Sequence, residues 1–440
     1  MQHSGYELSG GTAGELVRHV EDGVLAGALR PGTVLPSVRA LAGQLELSPT
    51  TVAKAYRELR RRGVVVTRDR SATVIAHRPP LRLRLAPFVP EGALDLATGN
   101  PDPTQLPSLE PAIRSLPTVQ HRYTDDVLLP DLLAVATAAL DEDGLPSDHL
   151  LVVGGGLDGI ERVLEVHLRL GDRVAVEDPG YPGSLDLVRT LGLEPVGIEV
   201  DDHGPVPASL AAALDRGVAA VLVVPRAQNP TGAALTPERA TELRAALEHH
   251  PEVLVIEDDH AAPIAGTPPV SLTAGRQHWA VVRSVAKWLG PQLRLAVLVG
   301  DEATATRVLA RQRIGTGWVS QLLQHVVATT WRQARDDRTL PRVADVYAGR
   351  RQALRTALAT QGIPARGTTG LNVWVEVAEE VPVVQGLAEL GWAVAAGEAF
   401  RIASPPAIRI TTAALPEEAA AALAGDLAAV LERRLPGRRG

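Results

Sequence analysis

The 440-residue chain has no cysteine, so disulfides and thiolate metal sites are excluded, and no metal site is expected. That composition fits a reducing, cytoplasmic setting. No apolar run approaches the ~20 residues needed to span a bilayer. Residues Met1 to Gly5 do not open a basic region followed by an apolar stretch, so neither a signal peptide nor a membrane partner is expected. Lysine is nearly absent: Lys54 and Lys287 are the only two, against a combined Lys+Arg count of 44. Where a cation is wanted this chain uses arginine, so each lysine asks for a reason. A lysine can lose its proton and attack a carbonyl to form a Schiff base, which arginine cannot. Burial lowers its pKa and favours that chemistry. Lys287, in Ser284-Val285-Ala286-Lys287, is either such a residue or a leftover surface cation.

Apolar residues make up 45% and charged residues 22% of the chain, enough for a full core in two or three domains. The net charge of −7 is unevenly spread: residues 1–80 carry about +4 and the remainder about −11. A basic head on an acidic body suggests that the head alone meets a polyanion.

In the head, Leu16, Val20, Val24, Leu25 and Leu29 recur at helical spacing between Glu15 and Leu29. Arg30-Pro31-Gly32 ends that helix. Ser37 can cap a second, whose Val38, Leu41 and Leu45 face inward. Ser48-Pro49 opens a third, running Thr50 to Arg62 and closed by Gly63, with Val52, Ala55, Tyr56 and Leu59 inside. Two β-branched runs, 64–67 and 72–75, flank the basic turn Arg68-Asp69-Arg70-Ser71. Three helices and a basic hairpin form the winged helix-turn-helix pattern. Ser48, Thr50, Thr51 and Lys54 sit at the start of the third helix, with Arg57, Arg60, Arg61 and Arg62 extending its basic face toward phosphates. The alternative is a small helical domain with a solvated charged face. Leu35-Pro36-Ser37-Val38-Arg39 together with Ser48-Pro49-Thr50-Thr51-Val52-Ala53-Lys54-Ala55-Tyr56 resembles the GntR-type DNA-binding domain. That resemblance implies double-stranded operator DNA as a partner, contacted by Arg39 and the start of the third helix. The wing of that family has a glycine-rich tip, whereas this chain reads Arg70-Ser71-Ala72.

The expected domains are 1–77, a proline-bracketed semi-rigid linker at 78–93, and a body at 94–440 with a smaller α+β subdomain from about 335. In the body, short apolar runs at 150–153, 173–177, 195–200, 219–224, 253–257, 280–284 and 295–299 alternate with helical stretches. That argues for an α/β fold with a mostly parallel sheet, whose ligands lie at the carboxyl ends of strands. Candidate residues fall there. Gly154-Gly155-Gly156-Leu157-Asp158-Gly159 opens a helix whose N-terminus suits an anion, or is a plain strand-to-helix turn. Tyr181 can stack on a flat ring, or pack in a turn. Asn229, in Gln228-Asn229-Pro230-Thr231-Gly232, can donate to a phenolic oxygen, or mark an ordinary turn. Asp258 can pair with a protonated ring nitrogen, or cap a helix. Arg294 is a second cation for a phosphate, or a solvated arginine.

Each motif is short. Their order and spacing, 29 residues from Asn229 to Asp258 and 29 more to Lys287, describe one cofactor, pyridoxal 5'-phosphate (PLP). Lysine takes the aldehyde, aspartate the pyridinium proton, asparagine the ring hydroxyl, tyrosine the ring face, and the Gly156-Leu157 helix end, with Ser284 and Arg294, the phosphate. The body resembles the fold-type I aminotransferases, which implies that Arg409 clamps a carboxylate of a substrate or effector. Head and body together resemble the MocR/GabR family of bacterial transcription regulators. That implies a head-to-tail homodimer that holds PLP on Lys287. Three departures stand out, one of them Leu128, where a glycine is common. The family has a tyrosine where this chain has His260, whose charge state would shift the protonation of the imine. The phosphate loop has Leu157-Asp158 where glutamine-type residues are usual. Three readings follow: a regulator sensing a small amino compound through its cofactor, a working aminotransferase with an accessory head, and a regulator sensing PLP itself.

Overall fold

Two serines set where the N-terminal helices begin. Ser37 Oγ accepts from the Ala40 N–H at 3.2 Å and starts α2 (Val38–Gln44). Ser48 Oγ accepts from the Thr51 N–H at 3.0 Å and starts α3 (Pro49–Arg61). Each cap satisfies a backbone donor that the first helical turn leaves unpaired. The computed structural model describes residues 8–25, 28–61, 64–68, 72–76, 87, 89–117, 122–123 and 126–432. Gly63, the tip of the basic turn and most of the linker lie outside these residues.

The chain forms two compact units. In the N-terminal one, α1 (Ala13–Leu25), α2 and α3 pack with an antiparallel hairpin of β1 (Val65–Arg68) and β2 (Ala72–Ile75). Val34 adds an antiparallel bridge to Val74. Leu16, Val20, Leu41, Val52, Ala55, Leu59 and Ile75 close the core, and Tyr56 crosses it to donate its O–H to the Pro36 carbonyl at 2.8 Å. That is the expected winged helix-turn-helix.

The larger unit holds an eight-stranded sheet of order β4-β11-β10-β9-β8-β5-β6-β7. Its strands are β4 (Leu151–Val153), β5 (Arg173–Asp178), β6 (Glu194–Asp201), β7 (Gly204–Pro205), β8 (Ala220–Val223), β9 (Leu254–Asp258), β10 (Trp279–Ser284) and β11 (Ala296–Gly300). β3 (Leu94–Leu96) belongs elsewhere. Pairings β5–β8, β8–β9 and β9–β10 are parallel, while β11 runs antiparallel to both β10 and β4. All seven apolar runs read from the sequence are strands. Those of β8, β9 and β11 are buried along their whole length, as double-sided burial requires. Three of the crossovers that keep strands parallel are the helices Gly156–His167, Pro182–Thr190 and Pro237–Glu248.

A second sheet, β12 (Asn372–Glu376), β14 (Ala407–Thr411), β13 (Trp392–Ala396) and β3, is mainly antiparallel, with β3 added in parallel to β13. Helices Thr339–Thr360, Glu380–Glu389 and Ala420–Glu432 cover it through Leu354, Leu358, Leu387, Leu423 and Leu427. Leu96, far upstream in sequence, lies in that same core. Among the described residues no helix is long and apolar enough to cross a membrane.

Candidate cofactor site

The carboxyl ends of β5, β8, β9 and β10 bring the sequence-selected residues into one place. β9 ends in Glu257 and Asp258, with Asp259 just after it, and alternation turns Asp258 to the face opposite Glu257 and Asp259. Glu257 accepts from the Ser271 hydroxyl and from the Leu272 N–H at 2.6 Å. Asp259 is held by Arg226 and Arg283. Asp258 is buried, and its Oδ1 has no hydrogen-bond partner among the described residues. A buried, unpaired carboxylate oxygen is costly. Burial, reinforced by the neighbouring Asp259 charge and opposed by Lys287, pushes its carboxyl up to about 7. A cationic N–H donor would satisfy this group and restore its charge.

Lys287 lies in the turn after β10 and is half-buried. Its Nζ donates to the Gly99 carbonyl at 2.6 Å. Burial first, and then the Arg409 cation, pull its ammonium down to about 8, while Asp258 opposes them. The amine is therefore nearer to its reactive neutral form than a free lysine is.

Glycine backbone brings the turn after β4 close to Arg294, Ser284 and Asp258. Gly155 has φ +117°, and a Cβ there would stand 2.8 Å from Arg294 Nη2. A Cβ on Gly156 would stand 3.5 Å from Ser284 Cβ and 3.9 Å from Asp258 Oδ1. The first turn of helix Gly156–His167 thus faces Ser284 and Asp258, with Arg294 at its edge. Arg294 is exposed and has no acceptor among the described residues. Asp158 does not face a ligand: it accepts from the Gly154 N–H at 2.8 Å and from Arg162 at 2.9 and 3.0 Å, bracing the glycine turn.

Tyr181 borders a small gap that Asp258, Ser184, Leu222 and Val224 also line. Leu157 packs near its ring, across Gly183. Asn229 Oδ1 accepts from Arg409 Nη1 at 3.2 Å and from Asn372 Nδ2 at 3.4 Å, which leaves its Nδ2 as a donor. His260 follows Asp259. Burial, and then the Lys287 charge, push its imidazole down to about 4. That favours the neutral ring near pH 7.

Arg409, on β14, is buried. It donates through Nη2 to the Ala97 carbonyl and stacks over Phe400 at 4.8 Å. Its Nε has no partner among the described residues. Burial lowers its guanidinium to about 10, with Tyr181 and Asp95 opposing. Gly99, at φ +72°, leaves room for it: a Cβ there would stand 3.2 Å from both Nη atoms.

The sequence reading missed Gly99, Ala97, Asn372 and Phe400. Ala97-Thr98-Gly99-Asn100-Pro101 reads as a turn, and nothing local says that its carbonyls meet Lys287 and Arg409. Asp178 was also passed over. It accepts from the N–H groups of Ile402, Ala403 and Ser404 and from Ser404 Oγ, all within 3.1 Å, tying the Tyr181 turn to the segment before β14.

In the N-terminal unit, Arg39, Ser48, Thr50, Lys54 and Arg57 are exposed, and Thr51 is half-buried. The Ser48 and Thr51 hydroxyls lie 2.8 Å apart, so both are partly committed to the helix cap. Arg62 lies outside the described residues.

Comparison with known proteins agrees with this architecture. The family "Aminotransferase class I and II" matches residues 91–427, and "Bacterial regulatory proteins, gntR family" matches residues 12–75. The chain is 38% identical to the vitamin B6 salvage pathway transcriptional repressor PtsJ of Salmonella typhimurium, over 97% of this chain and 100% of that one. It is 29% identical to the pyridoxine biosynthesis transcriptional regulator PdxR of Corynebacterium glutamicum, over 78% of each. Among solved structures, the multiple substrate aminotransferase of Thermococcus profundus matches with TM-score 0.71 at 20% identity, over 78% of this chain and 92% of that one.

Proposed function

The chain belongs to the aminotransferase class I and II family and carries a gntR-family head, and from that premise we propose that it is a transcription regulator whose operator binding responds to PLP itself. The cofactor supplies an aldehyde that condenses with a primary amine and a ring that spreads the resulting charge. The residues present fit it. Lys287 offers the amine. Asp258 offers a buried carboxylate oxygen to the ring nitrogen, and Asn229 Nδ2 and neutral His260 serve the ring oxygen. Tyr181 covers the ring. The backbone at Gly156 and Leu157 takes the phosphate, with Ser284 and Arg294. The unpartnered, buried Oδ1 of Asp258, close enough to Lys287 to feel its charge, carries this reading.

The choice of PLP as effector rests on the vitamin B6 roles in the names of two relatives and on the Arg409 Nη groups being already engaged. Arg39, Ser48, Thr50, Thr51, Lys54 and Arg57 contact operator DNA, two copies form a head-to-tail homodimer, and the protein works in the cytoplasm. The boundaries 1–77, 78–93 and 94–440 are the working division of the chain. One observation favours an amino compound as co-effector: the buried Nε of Arg409 lacks an acceptor, and a carboxylate supplies one.

The test is to add PLP to cofactor-free protein and follow binding to DNA from upstream of its own gene. A full response to PLP alone supports this reading. A response that also needs an amino acid favours the second. Steady turnover of an amino acid with a keto acid at enzyme-like rates would instead make the chain an aminotransferase. Lys287→Ala is expected to abolish the visible absorbance band of the bound cofactor.

A further inference from the structure

Behind the candidate site lies a closed set of four charges. Arg226 Nε and Nη2 donate to Asp259 Oδ1 and Oδ2 at 2.8 and 2.9 Å. Arg283 Nε donates to Asp259 Oδ2 at 2.9 Å. Both arginines donate through Nη2 to Asp143 Oδ2, at 2.9 and 2.6 Å. The Arg226, Asp259 and Arg283 side chains are 3%, 1% and 3% exposed, and Asp143 is 25% exposed. Two cations and two anions balance, which is what such burial demands.

The members interleave with the site. Asp259 stands between Asp258 and His260. Arg283 precedes Ser284, and Arg226 precedes Asn229 by three residues. The Asp259 N–H also donates to the Val282 carbonyl at 2.9 Å, locking the end of β9 against β10. Any slip of Asp259 would move Asp258 with it.

We infer that the Arg226–Asp259–Arg283–Asp143 network is a positioning device for Asp258, fixing both its place and the electrostatic potential it feels. This rests on the PLP-site reading above. None of the four network side chains is assigned to the cofactor. The charged and titratable groups facing Asp258 are Asp259 from its own strand end, Lys287 from the turn after β10, and Glu177 and Tyr181 from β5 and its turn. Asp259 is the nearest source of negative potential, and the two arginines neutralise it.

The network's sign makes the test sharp. Arg283→Met removes a positive charge. The surplus negative potential favours proton retention in the site, so the visible band of the bound cofactor should titrate at higher pH. Asp143→Asn removes a negative charge and should move that midpoint to lower pH. Each shift is expected to be about one pH unit or less and in opposite directions. Loss of packing alone would not give opposite signs.

The measurement is a pH titration of the visible spectrum of the full-length protein with PLP, alongside a thermal melt. Midpoints that move in the same direction, or do not move, overturn the inference. If Arg283→Met does not fold, Asp143→Asn decides alone: a lowered midpoint supports the network's role, and an unchanged or raised one overturns it. Lys287→Ala separates this inference from the reading beneath it. If that variant keeps the band, the site assignment fails. If it loses the band while the network variants leave the midpoint alone, only the network inference fails.

Discussion

Lys287 and Gly99 are 188 residues apart in sequence and joined by a 2.6 Å hydrogen bond from Nζ to the backbone carbonyl. The same glycine makes room for Arg409. One short turn after β3 therefore touches both the amine that would take an aldehyde and the cation that would take a carboxylate.

The first prediction concerns that amine. With its ammonium lowered to about 8 by burial and Arg409, about a tenth of Lys287 is neutral at pH 7. Stopped-flow mixing of cofactor-free protein with PLP should show association quickening about tenfold per pH unit up to about pH 8, then levelling. The unfolded lysine keeps its proton to a higher pH, so between about pH 8 and the free-lysine range the unfolded state binds more protons and stability rises with pH. Urea melts should show Lys287→Met stabilising the cofactor-free protein most at pH 6 to 7, with the advantage shrinking as pH climbs past 8.

The second concerns the glycine turn. Gly155→Ala faces a positive φ and a 2.8 Å approach to Arg294 Nη2. Equilibrium dialysis should show PLP held about tenfold more weakly, equivalent to about 1.4 kcal/mol, with the melting of the N-terminal domain unchanged. Undiminished affinity would remove this turn from the phosphate side.

The third concerns His260. Burial and Lys287 hold its imidazole at about 4, so it stays neutral from about pH 5.5 upward. His260→Gln and the parent protein should therefore share the shape of their spectral pH titrations between pH 6 and 8.5. A transition present only in the parent within that range would show that the histidine titrates.

The fourth concerns DNA. Lys54 is exposed on α3. Lys54→Ala should weaken binding across all sequences and reduce the salt slope by about one, as read by fluorescence anisotropy at several salt concentrations.

Much of this was legible in the sequence because periodicity and scarcity are local signals. Helical spacing gave α1 to α3, buried apolar runs gave seven strands, and one lysine among so many arginines pointed to the candidate site. The partners were not legible, because they come from distant chain. Nothing near Asp259 says that Arg226 and Arg283 neutralise it and leave Asp258 unpaired. Nothing near Leu94 says that it joins a sheet built from residues beyond 370. Nothing local to His260 says that burial and the Lys287 charge lower its imidazole.

The most direct measurement is operator binding by cofactor-free protein titrated with PLP alone, run in parallel with Lys287→Ala. The account predicts that PLP shifts DNA affinity in the parent protein and leaves the variant's unchanged. An equal shift in both, or none in the parent, would contradict it.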